Sequence, residues 1–118
     1  MFAVKTDLIK NVIAFHAEGL FSEEEIKKSI QEVKAKTKEL KRGFTFIGEI
    51  SKLEPTTNKG MLEIQKMQAF MIDMGVGRII RIVENKKTQL QFQEASDNVG
   101  YTAMELHSMD EAYEVLDL

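Results

Sequence analysis

A strand, a short polar turn and a long apolar helix between Gly43 and Gly75 constrain the fold of this chain more than any other stretch. The strand, residues 44–50, is rich in aromatic and β-branched residues and apolar on both faces. Such a pattern is typical of an interior strand that helices cover on each side. The turn contains Pro55, the only proline, which cannot extend the strand. The helix that follows has a wide apolar arc, which predicts a heavily buried element.

Further strands and helices flank this central unit. The sequence predicts four more strands, two of them joined as an N-terminal hairpin, over residues 2–6, 11–18, 78–84 and 101–106. Three capping boxes, which begin at Ser22, Thr88 and Ser108, predict the starts of three more helices. The order β-β-α-β-α-β-α-β-α predicts one α/β domain over residues 1–118. Its five-stranded sheet should be mixed and mostly parallel, with four helices and an antiparallel N-terminal strand at one edge.

Composition excludes several classes of function. The chain has 118 residues and no cysteine, so thiolate catalysis and cysteine–zinc sites are excluded. Its net charge of −3 argues against nucleic acid as a partner. The first residues lack the layout of a signal peptide, and no apolar run reaches membrane-spanning length. A cytoplasmic protein without membrane insertion is therefore expected.

No stretch of the chain carries a catalytic or cofactor-binding motif, so no cofactor or metal is expected. The glycines at 75 and 77 precede a strand, whereas a dinucleotide fingerprint must follow one. His16 and His107, the only histidines, have no neighbours at the spacing of metal ligands or of a nucleophile–base pair, which favours structural roles. Four methionines of the long helix could serve as core filler or line an adaptable apolar pocket: Met61, Met67, Met71 and Met74.

The best candidate for a site is the edge of the sheet beyond the carboxyl ends of the parallel strands. Ligands and partners of open α/β sheets gather there. Nine residues are predicted to meet at this edge: Ser51, Thr56, Thr57, Asn58, Lys59, Gly60, Asn85, Lys86 and His107. The free amides at the start of the long helix would attract an anion. An ordinary capped loop is the alternative interpretation.

Three stretches, residues 43–51, 75–83 and 100–112, resemble the STAS domain and look most like the stand-alone STAS-like proteins of bacteria. The STAS family includes bacterial anti-sigma-factor antagonists and the cytoplasmic ends of sulfate transporters. The resemblance implies a non-enzymatic, cytoplasmic regulatory module that binds a protein partner or senses a small ligand or anion. It leaves a homodimer open.

The chain departs from this family at the site of its phosphorylation switch. Antagonists of the switch type carry an Asp-Ser-Ser-Gly-Leu turn in which the second serine is phosphorylated. Aligning Gly60 on the glycine of that turn puts Asn58 and Lys59 where the serines would be, with Thr56 and Thr57 upstream. The usual serine switch is therefore expected to be missing. Two alternatives stay open: a carrier or sensor of an apolar small molecule, as in the related CRAL-TRIO fold, and an enzyme that uses His107.

Overall fold

The computed structural model describes residues 1–116, and its strands and helices follow one another in the predicted order. Their bounds are β1 (Phe2–Asp7), β2 (Val12–Gly19), α1 (Glu23–Thr37), β3 (Thr45–Leu53), α2 (Asn58–Asp73), β4 (Arg78–Ile82), α3 (Lys86–Val99), β5 (Met104–Leu106) and α4 (Met109–Leu116). The five strands form one sheet in the order β1-β2-β3-β4-β5. β1 is antiparallel to β2, and the other neighbours are parallel. The predicted α/β class and mixed sheet are confirmed, with β3 at the centre.

The two faces of β3 belong to two separate apolar clusters. Phe46 and Ile50, together with Phe44 directly before the strand, pack with residues of α1, α2 and α3 in the larger cluster. Ile47 points to the opposite face, where the smaller cluster includes Ala112 of α4. The pattern of an apolar strand covered on both sides is therefore confirmed. One face of the sheet carries three helices and the other carries only α4.

Two of the three predicted capping boxes mark true helix starts. Ser22 and Glu25 exchange both capping bonds, each 3.1 Å between nitrogen and oxygen, and the backbone hydrogen bond at Ser22 lowers the pKa of Glu25. The hydroxyl of Ser108 accepts from the backbone N–H of Glu111 at 3.2 Å.

The predicted box at Thr88 is wrong. α3 begins three residues earlier, because the side chain of Asn85 accepts from the backbone N–H groups of both Lys87 and Thr88 and caps the helix.

Several predicted boundaries and one burial pattern need correction. β3 extends to Leu53 because its last residues still pair with β2, whereas β4 and β5 are shorter than predicted. α2 is less buried than its wide apolar arc suggests, since Leu62 is 55% and Ile72 39% exposed. Two of the four methionines, Met67 and Met71, lie in the core. The other two, Met61 and Met74, are half-buried at the margin of the core. Within residues 1–116, no helix combines the length and the apolar character that crossing a lipid bilayer requires.

Candidate functional site

The N-terminus of α2 lies beyond the end of β3, where the site was predicted. Thr57 caps the helix, and its hydroxyl accepts from the backbone N–H of Gly60 at 3.1 Å. Asn58 and Lys59 are exposed as the first two helical residues. Gly60 is buried, and a Cβ added there would lie 2.8 Å from Cδ1 of Ile26. The same Cβ would lie 2.7 Å from Oγ1 of Thr56, so a larger residue here would force the side chains of Ile26 and Thr56 to shift.

Side chains of α3 tie this N-terminus to the sheet. Gln91 forms two hydrogen bonds with the backbone of Thr56: it accepts from the N–H at 3.1 Å and donates to the carbonyl at 2.8 Å. The buried hydroxyl of Thr88 donates to the carbonyl of Leu53 at 2.8 Å. The segment between β3 and α2 is therefore held in place by hydrogen bonds to residues 35 positions away in the sequence.

The other predicted site residues are only partly gathered at this edge. Asn85 caps α3 and Lys86 is its exposed first residue, so the N-termini of α2 and α3 lie at the same edge. Ser51 lies within β3 rather than in the loop. His107 is exposed after β5, and no hydrogen bond or ion pair among residues 1–116 connects it to the N-terminus of α2. The binding of a partner or an anion by these residues stays a prediction.

A cluster that the sequence did not predict lies on the face of the sheet that carries α4. One carboxylate oxygen of Glu49 contacts Nδ1 of His16, its neighbour in the β2–β3 register, and the other accepts from the hydroxyl of Ser51. Burial raises the pKa of Glu49, but the hydrogen bonds of Ser51 and His16 outweigh burial and leave that pKa lowered. Because Glu49 stands between Ser51 and His16, the histidine is not placed to take a proton from the serine. The carboxylate of Glu49, and not the imidazole of His16, is the group that accepts the hydrogen of the Ser51 hydroxyl.

A small cavity of about 50 Å³ lies on the other face, between the sheet and α1, α2 and α3. Most of its lining is apolar and includes Phe46, Met67 and Phe92, but Gln68 and Arg81 also border it. Arg81 is the only charged residue of the described chain that is buried. An arginine between isoleucines inside a predicted strand was a signal in the sequence, since arginine is almost never fully buried unless it is paired.

Metal-binding side chains are not grouped in the described part of the chain. Within residues 1–116, no set of three or more histidine, cysteine, aspartate or glutamate side chains is placed to hold a metal ion.

Thr88→Val is expected to lower the free energy of unfolding by about 1–3 kcal/mol. Valine keeps the shape of threonine but removes the hydroxyl, so the carbonyl of Leu53 loses its buried side-chain donor. Urea unfolding followed by circular dichroism measures the loss. Thr102→Val, at an exposed position, is the control and should stay within about 0.5 kcal/mol of the unchanged protein. Equal stability of the two variants would contradict the structural role of the Thr88 hydroxyl.

No model of a known protein family matches the sequence, and no curated protein matches it either. A search of solved structures finds the anti-sigma factor antagonist SpoIIAA in its unphosphorylated form. The two folds superpose with a TM-score of 0.69 over 100% of this chain and 98% of that one, at 13% sequence identity. At such low identity the likeness establishes the fold and not the function. The chain therefore has the STAS-like fold that the resemblance in sequence implied.

Proposed function

We propose that this chain, residues 1–118, is a single regulatory module that binds a protein partner and catalyses no reaction. The observation that carries the proposal is the full-length likeness in fold to a protein named as an antagonist of an anti-sigma factor. Interaction with another protein is the function that this neighbour's name describes. In keeping with the resemblance in sequence, we place the module in the bacterial cytoplasm, as a monomer or a homodimer.

We assign the partner contact to the edge formed by the N-termini of α2 and α3. Lys59, Lys86 and Lys87 are exposed there, within the first turns of the two helices. The positive ends of two helix dipoles lie at the same edge, and no acidic residue occupies either first turn. The edge therefore suits a partner with an acidic surface, since complementary charge steers association and fixes orientation.

We further propose that the module works without the serine phosphorylation switch. Asn58 and Lys59 occupy the positions of the two serines, and neither side chain carries a hydroxyl. The nearest hydroxyls serve the fold: that of Thr57 caps α2, and that of Thr56 donates to the carbonyl of Phe21 at 3.3 Å. Because an amide and an ammonium group at these positions cannot be phosphorylated as a serine is, partner binding does not depend on phosphorylation there.

Charge reversal at this edge is expected to weaken partner binding. The partner would be identified by mass spectrometry of proteins that co-purify from the source cells and then produced separately for titration. The double variant Lys59→Glu/Lys86→Glu should bind it at least about tenfold more weakly, because like charges then face each other. Lys28→Glu/Lys38→Glu, exposed positions at α1, is the matched control with the same change in net charge. Equal affinities of the two double variants would place the contact elsewhere.

A second measurement tests the missing switch. After incubation with ATP and an extract of the source cells, the intact mass of the protein should be unchanged. Stoichiometric phosphate on Thr56 or Thr57 would restore a phosphorylation switch at this turn.

The carrier of an apolar small molecule remains a second candidate, because the interior cavity is largely apolar. Its volume of about 50 Å³ is one third of that of an engineered cavity of about 150 Å³ that accepts benzene. A lipid chain does not fit in such a space without displacing α1 or α2. A lipid-sized adduct in the native mass spectrum of the purified protein would favour this candidate over the first.

A further inference from the structure

Arg81 projects from β4 into the protein interior and is only 3% exposed. Its Nη2 donates to the hydroxyl of Ser96 on α3 at 2.6 Å, and the guanidinium carbon lies 5.6 Å from the centre of the Phe92 ring. Its Nη1 is also buried but has no hydrogen-bond partner among residues 1–116. A buried donor without a partner is rare in folded proteins and is destabilising, more so when it is charged.

The charge of Arg81 is not neutralised inside the protein. No ion pair within residues 1–116 includes it. Asp97 and Glu105, the acidic residues whose charges act on it, are exposed at the surface. The Tyr101 hydroxyl is buried, and burial raises its pKa, so it carries no charge at neutral pH. Burial lowers the pKa of Arg81, but an arginine stays protonated in proteins.

Arg81 and a second residue with an unsatisfied buried atom line the same cavity. Gln68 on α2 is 1% exposed, and its Oε1 has no hydrogen-bond donor among the described residues. Both side chains line the cavity of about 50 Å³, which is several times the 10–15 Å³ that one water needs. The cavity is therefore large enough for two small species, and its lining includes the charged side chain of Arg81 and the neutral amide side chain of Gln68.

We propose that this cavity is a binding site for a compact monovalent anion, a halide or a one- or two-carbon carboxylate, held by the guanidinium of Arg81. The buried positive charge is then compensated. Phosphate and sulfate are excluded by their second charge, which no other cation in the lining of the cavity would balance.

The anion site is independent of the proposed partner contact. It lies in the interior at Arg81, whereas the partner contact lies at the exposed edge that includes Lys59. It gives the chain a means of sensing an anion: occupancy stabilises the packing of α2 and α3 on the sheet, since the anion binds only the folded state. The two proposals therefore fail separately, because partner binding is tested by charge reversal at the edge and the anion response by Arg81→Met.

Bromide and formate are the probes for this site. Chemical unfolding is measured in a sulfonate buffer with increasing sodium bromide or sodium formate, for the unchanged protein, Arg81→Met and Lys59→Met. The stability of the unchanged protein and of Lys59→Met should rise with saturation. In Arg81→Met, the anion concentration needed for the same rise in stability should be at least about tenfold higher, because a charged hydrogen bond to the anion is removed. A response lost in Lys59→Met but kept in Arg81→Met would assign the anion to the helix edge and overturn the proposal.

A crystal grown in sodium bromide gives a second readout that needs no variant. Anomalous scattering should show a bromide ion in the cavity within hydrogen-bond distance of the guanidinium of Arg81. Water alone in the cavity at a bromide concentration that saturates the stability response would overturn the proposal. This measurement remains decisive if Arg81→Met fails to fold.

Discussion

Phe46→Ala is expected to lower the free energy of unfolding by about 3–5 kcal/mol, one of the two largest effects that we predict for a single substitution. The ring of Phe46 lies in the central strand, is 4% exposed and belongs to the larger apolar cluster. It also borders the interior cavity. Truncation would therefore enlarge an existing void, and the loss grows with the volume of the residual cavity. Equilibrium unfolding in urea at two wavelengths measures the change and tests two-state behaviour.

Leu62→Ala is the matched control for this prediction. Leu62 is a large apolar residue of α2, but its side chain is 55% exposed, so its truncation should cost less than about 0.5 kcal/mol. A loss below about 1 kcal/mol for Phe46→Ala would show that the ring is not part of the folded core.

Gly77→Ala is expected to destabilise the protein by about 3 kcal/mol, at the upper end of the range for overpacking. A Cβ added to Gly77 would lie 2.6 Å from the carbonyl oxygen of Gly43, and the three nearest atoms all belong to the backbone of Gly43. The two segments are also joined by hydrogen bonds, because the N–H of Gly77 donates to the carbonyl of Phe44 at 2.8 Å. The N–H of Gly43 likewise donates to the carbonyl of Gly75 at 2.7 Å. The methyl group would push the starts of β3 and β4 apart and weaken both bonds.

Gly48→Ala makes the same chemical change at a buried glycine that has space. The nearest atom to its added Cβ would be Cε1 of Phe46 at 3.5 Å, an ordinary contact, and Gly48 borders the interior cavity. Its stability should stay within about 1 kcal/mol of the unchanged protein. Thermal unfolding of the two variants compares them directly. Equal losses would mean that any alanine in these strands is disruptive and that the contact at Gly43 has no special role.

The order of elements was predictable because it depends on neighbours in sequence. Apolar periodicity, glycines and capping residues act over a few positions, and Ser22 with Glu25 is an example whose two bonds both form. The glycine at 75, predicted to end α2, has a φ of +83°, which the residue after a helix often adopts. Because strands and helices alternate along the chain, short right-handed connections favour a mostly parallel sheet. The structure has such a sheet, with β3 at its centre.

The predicted start of α3 failed because two local signals competed. Thr88 with Gln91 matched the pattern of a capping box, but Asn85 offered a better capping side chain three residues earlier. Thr88 and Gln91 instead bind the backbone at the end of β3 and in the loop after it. A capping box and a long-range hydrogen bond use the same residue types, so the sequence pattern could not distinguish them.

Local sequence determined the strands and helices and their order, and it placed polar residues at the start of α2. Apolar periodicity and helix capping depend on residues within one or two turns of the chain, so they can be recognised in the sequence. Tertiary structure alone decided which distant groups meet. Parallel pairing brings His16 beside Glu49. The packing of α2 on the sheet puts Gln68 at the same cavity as Arg81. Arg81 is the centre of the proposed anion site because its guanidinium is buried with one nitrogen that has no hydrogen-bond partner. This property depends on the residues that surround the side chain in space, and no short sequence motif encodes it.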